Sequence, residues 1–455
     1  MKETKYRNRI AMIMAFMGCT PLLLLIGGYL VFFYTNIVGI SPGPLGVILL
    51  ISRILDGISD VIFGNMIDRT RSRFGVCRPW LLAMSIGSIA SIAILLCVPS
   101  GSNTLRYAYV FISYNFANTI IATISQLSAV SLPTYITRDT MERSKLYICA
   151  NTGQMITQSI VSGVLFSMIN MLGGDKRAWI IVFAGIGIVG SLLTAAAVLL
   201  SNENVDPDII AEETGGKTRP PFIKSLASCC SNKYWWMLMI IVICGAAVNV
   251  NTLTMTPYYS QYILGNITDA DLLNALYTIP MVVVVPLTAF FLVRTNKRNI
   301  ALAGGVFIAL GSALSAFAHT SMLILCIAAM IKSAGVGSVT AVSQAMIADT
   351  IEYGQWKTGI RNQAVLIGAQ SAGTKIGQGV TSAVLSWAIA FAGFDASQAV
   401  QTASVNCCIS LLYSVLPIIM SVVIVLLLFK YDLDKRLPDI IKSLEYKNDV
   451  TDNNY

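Results

Sequence analysis

About a dozen apolar stretches of roughly twenty residues, with nearly every charge confined to the segments between them, decide what this chain can fold into. They begin near Ile10, Leu45, Leu81, Ala108, Leu146 and Ala178, and again near Trp235, Leu272, Ile300, Met322, Ala364 and Ile409. A helix needs about 20 residues to cross about 30 Å of hydrocarbon, and inside hydrocarbon every backbone polar group must be satisfied within the chain. The pattern therefore predicts an all-α membrane protein of about twelve transmembrane helices. Composition agrees: 12% of residues are charged and 55% hydrophobic, whereas soluble domains run near a quarter charged. A water-soluble globular fold is excluded.

The segment from Asn202 to Lys233 is polar and holds Pro207, Pro220 and Pro221. It divides the chain into an N-terminal six-helix bundle (1–201), a cytoplasmic linker (202–233), a C-terminal six-helix bundle (234–430) and a cytoplasmic tail (431–455). The net charge of +8 does not point to nucleic acid, because Lys and Arg sit in alternate loops. Lys2, Lys5, Arg7 and Arg9 precede the first span; Arg69, Arg71, Arg73 and Arg78 follow the second. Arg138, Arg143 and Lys145 follow the fourth, Arg294, Lys297 and Arg298 the eighth, and Lys357 and Arg361 the tenth. The intervening loops hold only Arg106, Lys176 and Arg177. By the positive-inside rule both termini are cytoplasmic. The first apolar run is long and leads straight into a second span, so no cleavable leader is expected. The ten cysteines lie mostly in apolar runs without zinc spacing and read as small buried hydrophobes.

A degenerate repeat relates the halves. Asp68, Arg69, Arg71 and Arg73 echo in Arg294, Lys297 and Arg298, and Asp139, Glu142 and Arg143 in Asp349, Glu352 and Arg361. Two related six-span halves with a solute site between them near the midplane is a transporter layout. That every short cytoplasmic loop is basic is the plainer account of the same residues.

The chemistry concentrates in the second span. Arg53, Asp56 and Asp60 are spaced by three and four and share one helix face. Each charge at this depth costs about 2.5–3.5 kcal/mol on the insertion scale, so three together imply a use. Asp56 and Asp60, with the Ser59 hydroxyl, would offer hard oxygens to a monovalent cation or a proton; an Arg–Asp pair that only staples two helices is the alternative. Lys375, about ten residues into the eleventh span, is the complementary charge, placed to pair with the acids and yield to a cation. Lys332 in the tenth span could meet an anionic substrate, or pair elsewhere or snorkel. His319, the only histidine, sits at an outer boundary, which excludes a histidine proton relay or histidine metal cluster. Gly335-Val336-Gly337 lies inside an apolar run and reads as close helix packing. No Walker sequence is present, so ATP does not drive the protein directly.

The chain resembles the glycoside–pentoside–hexuronide:cation symporters over nearly its whole length. The resemblance rests on Phe33-Tyr34-Thr35-Asn36-Ile37-Val38-Gly39, on Arg53 through Asp60, and on Thr70-Arg71-Ser72-Arg73-Phe74-Gly75 through Arg78-Pro79-Trp80. Leu132-Pro133 with Asp139, Glu142 and Arg143, Ala348-Asp349 through Glu352-Tyr353-Gly354 to Lys357 and Arg361, and the segment around Lys375 complete it. It implies the major facilitator fold, two pseudo-symmetric six-helix bundles, with Asp56 and Asp60 as cation site and Arg53 and Lys375 beside it. The family's sodium-binding threonine falls at Ala122, with Thr123 next to it. Its sugar-gripping acids fall at Thr20 and Ser125, its stacking tryptophan at Ala129 and its arginine at Asn151. The coupling residues are kept and the substrate residues rewritten. The loop from Gly64 to Arg73 also resembles the general major-facilitator gating loop, in which Gly64 allows close helix approach and Asp68 accepts from an arginine. A solvated basic loop is the plain alternative.

The expectation is a secondary active transporter, not an enzyme, coupling H⁺ or Na⁺ to a small polar solute, a glycoside, pentoside or hexuronide, by alternating access. Cation ligands are Asp56, Asp60, Ser59 and Thr123; Arg53 and Lys375 form the coupling network. Thr20, Ser125, Asn151, Asn249, Asn251, Lys332 and Gln370 are the candidate substrate contacts. Gly64, Asp68, Arg69, Arg71, Arg73, Arg143, Asp349 and Arg361 are the gating residues. No cofactor and no metal beyond a transported Na⁺ is expected; the partners are the solute and the lipid bilayer, without nucleic acid. A monomer, multi-pass in a bacterial inner membrane, follows by analogy. A lipid or amphiphile carrier of the same fold is the first rival, and a membrane enzyme or sensor the second.

Overall fold

The computed structural model describes residues 2–203, 231–292, 294–318, 320–358, 363–396, 398, 400–434, 436–437, 439–440 and 443. Its long elements are all helical. The first, α1, runs from Lys2–Leu24 through a π-helical turn Leu25–Tyr29, Leu30–Phe32 and a second π-helical turn Phe33–Ile37. There follow α2 (Pro42–Asp68) and α3 (Arg78–Leu96). The next, α4, comprises Asn103–Asn115, a π-helical turn Phe116–Ala122 and Thr123–Ile136. Then come α5 (Thr140–Met171) and α6 (Lys176–Leu200). In the second half α7 comprises Lys233–Tyr259 and a π-helical turn Ser260–Leu264, followed by α8 (Asp269–Leu292) and α9 (Lys297–Phe317). The last three are α10 (Met322–Thr358), α11 (Gln363–Phe391) and α12 (Ala403–Lys430).

Among the described residues, nine of these are long and apolar enough to cross a membrane by themselves. The other three are α2, α5 and α11, which carry the intramembrane polar groups: Arg53, Asp56 and Asp60 on α2, Asn151, Gln154 and Gln158 on α5, Gln370, Lys375 and Gln378 on α11. On α2 neighbours, rather than lipid, meet the charges, since Arg53 and Asp56 are buried. Local chemistry sets the ends. Asp139 accepts from the Met141 amide at the start of α5 and Asp175 from the Ala178 amide at the start of α6. Gly265, at φ +81°, takes the left-handed conformation that closes α7.

The chain forms two compact units, one of residues 1–215, 250–279 and 379–410, the other of 216–249, 280–378 and 411–455. In the first, Met12, Phe16, Ile67, Leu81, Ile124, Leu132 and Leu146 form a buried core. In the second, Trp235, Leu238, Val336, Val339, Ile424 and Leu428 do so. Large apolar side chains such as Ile86, Ile112, Leu192, Leu199 and Phe429 face outward, while Ser52, Arg53, Asp56 and Thr123 are buried. That inversion is what hydrocarbon demands of a bundle with a polar interior. Gly335 packs as its sequence predicts: a Cβ on it would lie 2.7 Å from the Ile308 amide nitrogen, and one on Gly304 2.8 Å from the Gly335 oxygen. The cysteines are less uniform than expected. Cys19, Cys77 and Cys244 are buried, but Cys97 and Cys407 are exposed, since a small apolar thiol is also at home on a lipid-facing surface. Cys229 and Cys230, most of the linker, His319 and Arg361 lie outside the described residues.

Each unit repeats one construction that the loop charges only hinted at. After α6, Glu203 accepts from the Val76, Cys77 and Arg78 amides at the start of α3, at 2.5, 3.0 and 2.9 Å. Arg78 in turn donates from Nε to the Val198 carbonyl of α6. After α12, Asp434 accepts from the Arg298 amide at the start of α9, at 2.9 Å, and Arg298 donates from Nε to the Leu428 carbonyl of α12. In each half an acid beyond the sixth helix caps the third, and the arginine that opens the third reaches back. Removing Glu203 leaves three amides at a helix start without their acceptor, and Glu203→Ala is expected to destabilise the protein by about 2 kcal/mol. Thermal unfolding in detergent checks this: a melting temperature equal to the parent's would remove Glu203 from the account of how α3 is anchored.

Candidate functional site

The α2 periodicity does what its spacing predicts. Arg53 and Asp56 are buried, at 8% and 2% exposure, with Arg53 Nη1 3.7 Å from Asp56 Oδ2 one turn away. Thr123 of α4, 3% exposed, donates from Oγ1 to Asp56 Oδ1 at 2.8 Å. Its position depends on the π-helical turn Phe116–Ala122 just before it. One extra residue in a helix turns everything beyond it by about 100°, so Thr123 takes the direction that residue 122 would have had in an unbroken helix. The shift is visible in the Thr123 hydroxyl, which also approaches the carbonyl of Asn118, five residues back, at 3.1 Å. Asn115 ties the two helices together by donating to the Ser52 hydroxyl at 2.9 Å, and Thr119 donates to Asn115 Oδ1. Backbone register thus brings the hydroxyl of Thr123 to Asp56.

Ser59 is buried, but its hydroxyl donates to the Asp56 carbonyl at 2.8 Å, which commits its proton to the helix. Asp60 is half-buried one turn beyond Asp56. Gly379 of α11 faces Arg53: a Cβ there would lie 2.6 Å from Arg53 Cβ and overlap Arg53 Cγ. Tyr114 of α4 also meets the Arg53 side chain. Asn115, Asn118, Tyr114 and Gly379 were not singled out in the sequence. Only the π-turn gives the first two their meaning, and a glycine inside an apolar helix carries no sign of what it faces.

The Asp56 carboxylate meets the Thr123 hydroxyl, which in turn lies 3.1 Å from the Asn118 carbonyl. These are hard donors with one formal negative charge, suited to a proton or a small monovalent cation. Among the described residues no three His, Cys, Asp or Glu gather as a metal site would require.

The other expected residues are dispersed. Thr20 is buried and donates to the Phe16 carbonyl at 2.6 Å; Ser125 is buried with its hydroxyl 3.0 Å from Cys19 Sγ. Asn151 is exposed, Asn249 half-buried, Asn251 and Gln370 buried. Lys375 is half-buried on α11, in the second unit. Lys332 is 1% exposed, with Nζ 4.5 Å over the Tyr413 ring and no hydrogen-bond acceptor among the described residues. Its ammonium is held by an aromatic face rather than snorkelling outward. Of the gating residues, Asp349 pairs with Lys297 at 2.6 Å, and Arg143 is half-buried beside Glu142, which bridges Arg9 at 2.8 Å and Lys145 at 3.0 Å. Arg69, Arg71 and Arg73 are exposed at the end of α2, and the Asp68 side chain lies outside the described residues. Nothing approaches within 4 Å of where a Cβ on Gly64 would stand, so it is Gly379, not Gly64, at which this structure brings a neighbour close.

The sequence pattern of the MFS/sugar transport protein family matches residues 11–435. The chain belongs to this family. It is 23% identical over 437 residues to the isoprimeverose transporter of Lactiplantibacillus pentosus, covering 95% of this chain and 89% of that one. It is 27% identical over 412 residues to the inner membrane symporter YicJ of Escherichia coli (strain K12), covering 86% and 84%. Among solved structures, the D-xylose-proton symporter superposes with a TM-score of 0.63 at 14% identity over 92% of this chain and 96% of that one. The resemblance read from the motifs and the major facilitator fold it implied are both borne out. The protein is integral to a membrane.

Proposed function

We propose that this member of the family is a secondary active transporter that couples H⁺ or Na⁺ to uptake of a small sugar, a glycoside, pentoside or hexuronide, by alternating access. The observation that carries the reading is the buried Asp56 carboxylate, held by Thr123 at 2.8 Å and flanked by Arg53 at 3.7 Å. A structural staple needs only the Arg–Asp pair; a hydroxyl brought in by a π-turn supplies a ligand oxygen. The names of the relatives, an isoprimeverose transporter and a symporter, support the same reading. In it Asp56 and Asp60 carry the ion and Arg53 and Lys375 answer their charge when the ion is absent. The basic loops with Arg69, Arg71, Arg73, Arg143 and Asp349 lie on the cytoplasmic side with both termini. The halves 1–201 and 234–430 form the two bundles of a monomer in a bacterial inner membrane, joined by 202–233. Thr20 and Ser125, engaged within their own bundle, leave the solute to be held by neutral hydrogen bonds from elsewhere.

A lightly buffered suspension of de-energised cells expressing the protein tests this. A panel of neutral glycosides, pentosides and hexuronides is added in turn, with and without Na⁺, while external pH and radiolabelled uptake are followed. Expected is alkalinisation or Na⁺-dependent uptake for one solute, lost in Asp60→Asn. No response of either kind to any sugar would sink the sugar reading and favour the amphiphile carrier.

A further inference from the structure

At the end of the first unit remote from the basic loops, α7, α8 and α11 close against α1, α2 and α5. Tyr258 and Thr35 share a hydrogen bond of 2.5 Å, Tyr262 donates to Asn36 Oδ1, and Trp387 donates to the Gly43 carbonyl at 3.1 Å. Phe394 packs on the rings of Tyr258 and Tyr262 at 5.9 and 5.6 Å. These contacts are neutral. One is not: Asp271, in the first turn of α8 and 3% exposed, takes the Phe166 amide on Oδ1 at 2.8 Å and the Ser167 amide on Oδ2 at 2.6 Å.

Both amides belong to the interior of α5, where a helix ordinarily turns such groups toward the carbonyl four residues back. Here two successive amides also meet a carboxylate from another helix. The approach is possible because residue 163 has no side chain: a Cβ on Gly163 would already lie 3.1 Å from the Ala275 Cβ of α8. The rest of the seam is also polar. Ser162 and Thr278 hydroxyls face each other at 3.5 Å, and Asn274, fully buried, has no hydrogen-bond partner of good geometry among the described residues. A seam meant to stay shut would be apolar, because a half-satisfied buried polar set is less stable than packed hydrocarbon. This one exchanges its contacts for water when it parts, at little net loss.

We propose that Asp271 is a positioning residue for the transport cycle: its carboxylate, clasping the α5 amides of Phe166 and Ser167, holds this end of the bundle closed, and releasing it opens the α5–α8 seam. The clasp takes two backbone amides of α5 together with the Ser167 hydroxyl, so it reads the register of α5 directly. It deepens the alternating-access reading, but its test needs neither solute nor ion, so its failure is separate from failure of the symport assignment.

Spin labels introduced as unnatural amino acids at Met171 and Gln261, both exposed on α5 and α7, report the opening by pulsed electron–electron distance measurement in lipid nanodiscs. The parent is expected to show one short-distance population. Asp271→Asn, which keeps shape but offers one acceptor and no charge, is expected to add a longer one and shift the closed-to-open ratio about tenfold. Asp269→Asn, in the same helical turn, is expected to match the parent. Gly163→Ala, which pushes α8 away without touching the carboxylate, is expected to reproduce the longer population and serves if Asp271→Asn does not fold. Parent-like distances in both seam variants overturn the proposal, as does equal broadening in Asp269→Asn.

Discussion

Asp56→Asn is expected to abolish cation-driven accumulation of solute while leaving the protein folded. The carboxylate is a buried negative charge that both Arg53 and Thr123 meet at this depth. Replacing it by an amide leaves the guanidinium, 8% exposed, without the carboxylate one turn away and takes from any cation the buried one of its two charged ligands. Breaking a buried pair in this way costs about 3–5 kcal/mol, and a loss of that size in ion binding is about 10²–10⁴-fold in affinity. Thr123→Ala removes one neutral ligand and should weaken ion affinity by only about tenfold. The graded pair matters more than either variant. Uptake titrated against Na⁺ and against pH in sealed vesicles should give no ion dependence for Asp56→Asn and a right-shifted curve for Thr123→Ala. An unshifted curve for Thr123→Ala would mean that its hydroxyl merely orients the carboxylate, and accumulation surviving in Asp56→Asn would move the ion elsewhere.

How much of this was legible in the sequence follows from what each feature depends on. The helices were legible because hydrocarbon leaves a chain one solution, and the gaps between apolar runs located their ends. Arg53 and Asp56 were legible because charge inside such a run is expensive and helix spacing fixes the face it shares. The role of Thr123 was only half legible. Its neighbour Ala122 stands where the family has its threonine, and nothing in Phe116–Ala122 announces the π-turn that rotates residue 123 into place. Glu203 and Asp434 were missed for a different reason: an acid in a polar segment looks like solvated charge until the helix start that it caps is beside it. Asp271 was missed likewise, since an acid in a first helical turn has a ready explanation as a dipole partner. Its partners include two backbone amides, which sequence does not mark.

The second large effect is expected at a residue with no chemistry of its own. Gly379 lies where α11 crosses the stem of Arg53, and the space a Cβ would need is already filled by Arg53 Cβ at 2.6 Å and Cδ at 3.2 Å. Arg53 cannot swing aside freely, because its head is engaged by both Asp56 and Tyr114. Gly379→Val must therefore displace either the helix or the guanidinium. Overpacking of this kind costs about 1–3 kcal/mol, and any movement of Arg53 disturbs the Asp56 site as well. Melting temperature and coupled uptake should both fall. Gly57→Ala on α2, where nothing lies within 4 Å of the added methyl, is the matched control and should be neutral or slightly stabilising. The decisive variant is the double one. Arg53→Ala removes the obstacle, so Gly379→Val made in that background should lose far less stability than it does alone, a coupling of about 1 kcal/mol or more in the cycle. Additive losses would mean that Gly379 is needed for some reason other than making room for Arg53. Strong coupling would show that α11 is placed against α2 by the same side chain that answers the charge of Asp56, so that packing and ion occupancy bear on one residue.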